Sequence, residues 1–392
     1  MPYGLVSGTS IRYEQLAIPL MLLAIFISRK SLLVNLNRTS KSLAILWSIG
    51  FLSTTINTIL STSYKINYIP FLTFLNLIFF SILISSLDDY LKIRRIVFLA
   101  IICAATPAGI FAIAQSIKLP GILEITSNLY TSDSRGVVSN YIESSSSVFR
   151  AVSFFETPAY SATFFLCSIV IGIYLIYSES DKIIRFLTIM SICLSIAAGF
   201  FSFSATFIGG IALILATIII FNIRKLSKIL IMFAIILPIF YSFYNLISLE
   251  ASFIANTNYQ IERIVNGESF DTRFNESDGL ITNTLDAIEE KPLIGWGWNS
   301  NDSVFVGDSL YIYLLYIFGL FGLSAIAIPM IINLYFSRIN WSLYWIEAVI
   351  FILVILTGLG SPSLFAPRIS LILWGIFSLW SSNLSANEEG NN

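Results

Sequence analysis

The chain has 392 residues, of which 56% are hydrophobic and only 11% charged, with a mean hydropathy of +0.82. No soluble domain of that length carries so large an apolar surplus, so the composition is that of a polytopic helical membrane protein. A net charge of −1 gives no field to hold nucleic acid, and the absence of histidine removes the usual imidazole base and any histidine-ligated metal.

Residues 1–15 are too polar to span and lack the basic, apolar, small-residue order of a signal peptide, so they read as an exposed lead-in. Apolar runs of spanning or near-spanning length follow at about 16–34, 42–60, 69–87, 96–117, 158–177, 183–203, 205–221, 226–249, 308–336, 343–359 and 369–384. The expectation is an all-α bundle of about eleven transmembrane helices, with residues 1–392 forming a single membrane domain. Cys103, Cys167 and Cys193 lie inside these runs and read as small buried hydrophobes, not as a disulfide framework or a metal site.

Orientation follows from lysine and arginine in the connections. Arg29, Lys30, Arg38, Lys41, Lys92, Arg94, Arg95, Lys182, Arg185, Arg224, Lys225, Lys228 and Arg338 all fall on one side, in short loops. That side is expected to be cytoplasmic, with the amino terminus outside and the carboxyl terminus inside. An outside start without a signal is the less usual arrangement, so a further helix upstream of Met1 belongs among the expectations. Asp88 and Asp89, beside Lys92, Arg94 and Arg95, read as a cytoplasmic loop cluster, and charges are expected to crowd at helix ends.

Two connections on the opposite side stand out by length, 118–157 and 250–307, and long loops are usually functional or disordered. In the second, Leu280, Ile281, Leu285 and Ile288 alternate at helical spacing with Asp278, Asp286, Glu289 and Glu290, which predicts an amphipathic surface helix. The stretch Lys291 to Gly322 then joins a glycine-punctuated loop, KPLIGWGW, to an apolar helix headed by Asp308. Trp296 and Trp298 are amphipathic rings that favour the headgroup level, so the loop is expected on the bilayer surface. Helical spacing puts Asp308, Tyr311, Leu315, Phe318, Gly319 and Gly322 on one face, polar at its mouth and small further in.

Candidate chemistry gathers on the same side. Arg150 and Glu156 sit six residues apart in FRAVSFFETPAYSATFF, where Thr157 and Pro158 make a good helix start. Arg273 lies in the second long loop and Arg368 in a short one. Each has a bland alternative as a membrane anchor or solvated charge, but three arginines at outer helix ends suit the oxygens of a polyanion. Asp308 fits either a helix-dipole role or that of a base. Ser202 and Ser204 read as turn and cap residues. No Walker loop, GxGxxG or sugar-nucleotide DxD is present, so a nucleotide-dependent reaction has no seat.

The order of these parts resembles the bacterial O-antigen polymerase and O-antigen ligase superfamily. FRAVSFFETPAYSA is similar to that family's Arg, Phe and Pro segment, FSFSATFIGG to its serine-rich turn, and Arg273 to its loop arginine. KPLIGWGW and the acid-headed helix ending in GLFG complete the likeness over Arg150 to Gly322. Two positions depart from the pattern: Ser204-Ala205 stands where the family often has Ser-Arg, and Asp308 where ligases carry histidine. The second departure favours the polymerase branch. The resemblance implies a glycosyltransferase of the inner membrane that joins undecaprenyl-diphosphate-linked oligosaccharides at the periplasmic face. It implies no metal and no nucleotide cofactor, and a chain-length regulator protein and membrane lipids as partners. Arg150, Arg273 and Arg368 are then expected on the donor diphosphate, Asp308 or Glu156 as the base, and Tyr311, Trp296 and Trp298 near the acceptor glycan. An O-antigen ligase is the alternative, and a lipid-linked oligosaccharide flippase or other transporter a more distant one. For a transporter, ionisable groups at mid-membrane depth are expected.

Overall fold

A computed structural model describes residues 3–6, 9–12, 18–20, 36–60, 65–66, 68–87, 89–129, 150–221, 262, 266, 282–300, 309–338, 341–366 and 368–390. Its helices are α1 (Arg38–Leu60), α2 (Tyr68–Ser85), α3 (Tyr90–Ser116), α4 (Ile122–Leu129), α5 (Pro158–Ser178), α6 (Lys182–Phe201), α7 (Ala205–Phe221), α8 (Thr282–Glu290), α9 (Leu310–Ser337), α10 (Trp341–Thr357) and α11 (Ile369–Gly390). Four short strands accompany them: β1 (Tyr3–Val6) pairs antiparallel with β2 (Thr9–Arg12), and β3 (Lys65–Ile66) with β4 (Asn299–Ser300). Apart from these two short ribbons the fold is a helical membrane bundle. Nine of the eleven apolar runs are helices, while 226–249 and most of 16–34 lie outside the described residues. By length and composition α1, α3, α5, α6 and α9 are candidate spans, and α2, α7, α10 and α11 are apolar but shorter.

Two groups of helices make the bundle. The central α5 packs on α3, α6, α7 and α10, while α1 packs on α9, α2 and α11; α11 also meets α3, α9 and α10 and joins the groups. The core between them is rich in aromatic rings, with Trp374, Trp380, Phe98, Phe165 and Phe377 fully enclosed.

Helices α1, α3, α6 and α10 begin at one end of the bundle and α2, α5, α7, α9 and α11 at the other, giving a basic end and a loop end. At the basic end Asn37 Nδ2 donates to Ser378 O at 2.9 Å, so the start of α1 meets the middle of α11. Arg95 forks onto Glu179 at 2.6 and 2.8 Å, tying the start of α3 to the end of α5. The expected loop cluster is not a loop: Lys92, Arg94 and Arg95 lie in the first turns of α3, and Asp89 is its N-cap, accepting from Lys92 N at 3.3 Å. Asp88 lies outside the described residues. Arg94 turns inward and pairs with Glu347 of α10 at 2.6 Å, with its guanidinium over the rings of Phe98 and Tyr174. Glu347 is only 1% exposed and two turns inside α10, so the expectation that charges crowd at helix ends fails here. Arginine's weakly hydrated, planar cation makes such burial tolerable where both partners are satisfied.

Within α9, Pro329 has no N–H for the carbonyl of Ala325, and Ser42 Oγ of α1 donates to that carbonyl at 2.5 Å. The proline thereby opens a position at which the neighbouring helix attaches.

Candidate functional site

The loop end is organised around 150–157, the segment leading into α5. Thr157 is the N-cap and accepts from Tyr160 N at 3.3 Å, and Pro158 occupies the first turn, as the sequence predicts. Upstream, Ala151 N donates to Phe201 O at 3.0 Å and Arg150 Nε to Ser202 O at 3.3 Å, so the segment lies on the tight α6–α7 turn. Ser202 and Ser204 are both buried there, and Ser202 Oγ donates to Gly199 O at 2.6 Å in the turn role expected of it. From across the bundle Arg368 Nη1 donates to Phe154 O. Arg150 and Arg368 are therefore brought to one segment, which also carries the half-buried Glu156.

Backbone strain concentrates at the same place. Ser153 (φ 55°), Phe203 (φ 44°) and Arg368 (φ 69°) are three of the five non-glycine residues with left-handed φ among the described residues. They belong to the three pieces of chain that bond to one another here. Such conformations are costly and persist where packing over-determines them, which is a recurrent property of functional sites.

The KPLIGWGW loop does not lie on the surface. Trp296 is 8% and Trp298 3% exposed, because the loop inserts into a break in α9. Helical geometry stops at Gly319 (φ 63°, ψ −166°), which leaves carbonyls before the break and N–H groups after it without helical partners. The loop supplies both: Trp296 N donates to Tyr316 O at 2.7 Å and Gly297 N to Ile317 O at 3.0 Å, while Leu320 N and Phe321 N donate to Pro292 O and Leu293 O at 2.8 and 3.1 Å. From α1, Ser53 Oγ donates to Ile294 O at 2.5 Å, and Asn57 Nδ2 to Trp296 O at 2.9 Å. Irregular backbone is tolerated at membrane depth only when its polar groups are paired in this way. The glycines are required by contact as well as by φ. A Cβ on Gly319 would stand 2.2 Å from Leu293 O, and one on Gly295 2.6 Å from Tyr316 O.

The break corrects the sequence reading of one continuous face from Asp308 to Gly322, because helical spacing is not carried across Gly319. It also corrects the surface placement of the tryptophans. Trp298 sits among Phe71, Phe74 and Phe318 with ring centroids 5.4 to 5.8 Å away, and Trp296 donates from Nε1 to Ala287 O of α8 at 2.6 Å. Lys291 closes the mouth of the insertion. Its Nζ donates to Asn57 Oδ1 and lies 3.8 Å from the Trp296 ring centroid. Partial burial pulls the Lys291 ammonium below the ordinary lysine value, against the opposing effect of Glu290.

The remaining candidates are dispersed. Tyr311 donates its hydroxyl to Ile355 O of α10 at 2.7 Å. Arg273 and Asp308 lie outside the described residues; the N-cap of α9 is Ser309, whose side chain makes no cap hydrogen bond. Leu310 N donates to Gly358 O at 2.7 Å, joining the head of α9 to the chain that runs on to Arg368. Of the stretch expected as an amphipathic helix, Thr282–Glu290 forms α8, with Ile288 buried and Leu285 exposed, and Leu280 and Ile281 lie outside the described residues. Sequence reasoning passed over Gln115, Lys291 and the Arg94–Glu347 pair. The signal for Gln115 was a lone amide in the otherwise apolar run 96–117.

No family model, curated protein or solved structure matches the chain.

Proposed function

We propose that the chain is a membrane glycosyltransferase that joins undecaprenyl-diphosphate-linked oligosaccharide repeats into a polysaccharide, as an O-antigen polymerase does. The observation that supports this reading best is the gathering of Arg150, Arg368 and Glu156 on one strained segment at the end of the bundle opposite the basic cluster. A donor of this kind already carries a good leaving group. The work left to the enzyme is to neutralise the departing diphosphate and to hold an acceptor hydroxyl in line with the anomeric carbon. Arginines serve the first task, with Arg273 joining Arg150 and Arg368. A carboxylate serves the second by taking the hydroxyl proton as the new C–O bond forms and the C–O bond to the diphosphate breaks, with inversion at the anomeric carbon. Asp308 and Glu156 are the two candidates for that carboxylate. On this reading the loop end faces the periplasm of the inner membrane.

Arginine's fork grips two phosphate oxygens where lysine offers a point charge. Arg150→Lys and Arg273→Lys are therefore expected to impair polymer formation at normal protein levels. Unaltered full-length polymer from the alanine variants of both would overturn the phosphate role. Gel analysis of lipopolysaccharide from a strain lacking the gene separates the branches: core with one repeat marks a polymerase, and bare core marks a ligase.

A further inference from the structure

We propose that Gln115, near the end of α3, is a positioning residue for the arginine-bearing segment 150–157; the inference rests on the function proposed above for that segment. Gln115 is wholly buried, and its carboxamide is saturated. Oε1 accepts from Val152 N at 3.2 Å and from Ser153 N at 2.8 Å. Nε2 donates to Ser153 O at 3.3 Å and to Thr126 Oγ1 at 3.1 Å. An amide has two acceptor lone pairs and two N–H groups, and all four are used. The orientation of the amide is itself fixed, because the Thr126 hydroxyl donates to Ile122 O at 2.7 Å and is left to accept from Gln115.

The side chain bonds to both the N–H and the C=O of Ser153, as the backbone of an adjacent strand would. Ser153 is the residue at which this need is greatest. Its left-handed φ of 55° turns the chain, its Oγ donates to Ala108 O at 2.7 Å, and it is fully buried. Without Gln115, Val152 N and Ser153 N lose this acceptor and the Ser153 carbonyl loses this donor, and the strained turn would relax. Both arginine anchors depend on that turn. Arg150 is three residues before it and bonds to Ser202 O, and Phe154, whose carbonyl receives Arg368, follows it directly. The hydrogen bonds of Gln115 go to Val152, Ser153 and Thr126, so it acts on the arginines through the backbone between them.

Three variants separate this role from simple stability. Gln115→Leu removes all four bonds at similar volume, Gln115→Glu keeps the acceptor oxygens while losing the donor, and Thr126→Val removes only the support of the amide. Each protein is purified in nanodiscs. Amide hydrogen exchange is followed over 150–157, and transfer kinetics are measured with a synthetic undecaprenyl-diphosphate-linked repeat as donor. The leucine variant is expected to exchange faster at Val152 and Ser153, and to raise the donor KM about tenfold at unchanged acceptor KM. Gln115→Glu and Thr126→Val are expected to fall between it and wild type. A purely structural residue would lower the active fraction at constant KM, and that result overturns the proposal. So does unchanged exchange over 150–157, or faster exchange with an unchanged donor KM. If Gln115→Leu does not fold, Thr126→Val decides by the same criteria. A wild-type chain that transfers nothing overturns the proposed function instead, and exchange alone then decides whether Gln115 holds the turn.

Discussion

At the residue scale, the carboxylate candidates separate on what each one borders. The bland role for Asp308, a charge–dipole interaction at the start of α9, would be worth about 0.3–1 kcal/mol. A base would contribute about 100-fold to 10,000-fold. Asp308→Asn is expected to insert normally and to yield mainly single-repeat product on a gel; normal polymer would transfer the role to Glu156, to be checked with Glu156→Gln. Lys291 gives a pH-dependent signature. Its folded value lies below the ordinary 10.5, so between the two the unfolded chain binds the proton more tightly. Stability in that window rises with pH, since the cost of burying the charge is present at lower pH and is relieved as the folded lysine deprotonates. The thermal midpoint of wild type is expected to climb relative to Lys291→Met as the pH approaches 10.5. A constant difference between the two would show that the ammonium is not held at that cost.

At the element scale, what was legible in the sequence was what depends on neighbours along the chain. Thr157-Pro158 announced the start of α5, and apolar runs announced nine helices, because capping and burial are set within a turn or a span. The placement of the tryptophans was not legible. Their cleft exists only because α9 breaks at Gly319; the groups that satisfy the break come from residues 292–297, and Ser53 and Asn57 in turn donate to the loop's own carbonyls. PLIGWG carries two glycines that φ and contact require, yet nothing local says that its partner is a helix interior. Gly319→Ala tests the junction. An alanine there would sit in a backbone region open essentially to glycine alone, at a cost of about 1–3 kcal/mol, and would push Leu293 away, with hydrogen bonds worth about 0.5–1.5 kcal/mol each at risk. A loss of more than about 2 kcal/mol in detergent unfolding is expected, and a loss near zero would mean that the loop is not docked. The Ser42–Pro329 contact makes a second test. Ser42→Ala leaves Ala325 O without its donor and is expected to cost about 1–3 kcal/mol. In a Pro329→Ala background the restored N–H supplies that carbonyl, so the cost should shrink and the double-mutant cycle should show coupling.

At the scale of the whole molecule, the contacts fix which helix ends share a side, and the charges then suggest which side is which. Asn37 meets Ser378, and Arg38, Arg95, Lys182, Arg185 and Arg338 cluster with them at the end where α3, α6 and α10 begin. Gln115, Arg150, Lys291 and Arg368 lie at the other. α7 starts at the loop end and finishes at the basic end, while α8 is held at the loop end through Trp296. The sequence expectation of a span at 226–249, outside the described residues, has the parity this arrangement needs. Lysine and arginine in short connections are retained on the cytoplasmic side during insertion, so the basic end should face the cytoplasm. Reporter fusions after Ser139 and Asn275 are expected to show periplasmic activity, and a fusion after Asn392 cytoplasmic activity. A cytoplasmic signal at Ser139 would put the Arg150 segment on the wrong face for a donor in the outer leaflet. The proposed glycosyl transfer would then fall, while the helix pairing that brings Arg150 and Arg368 to one segment would stand.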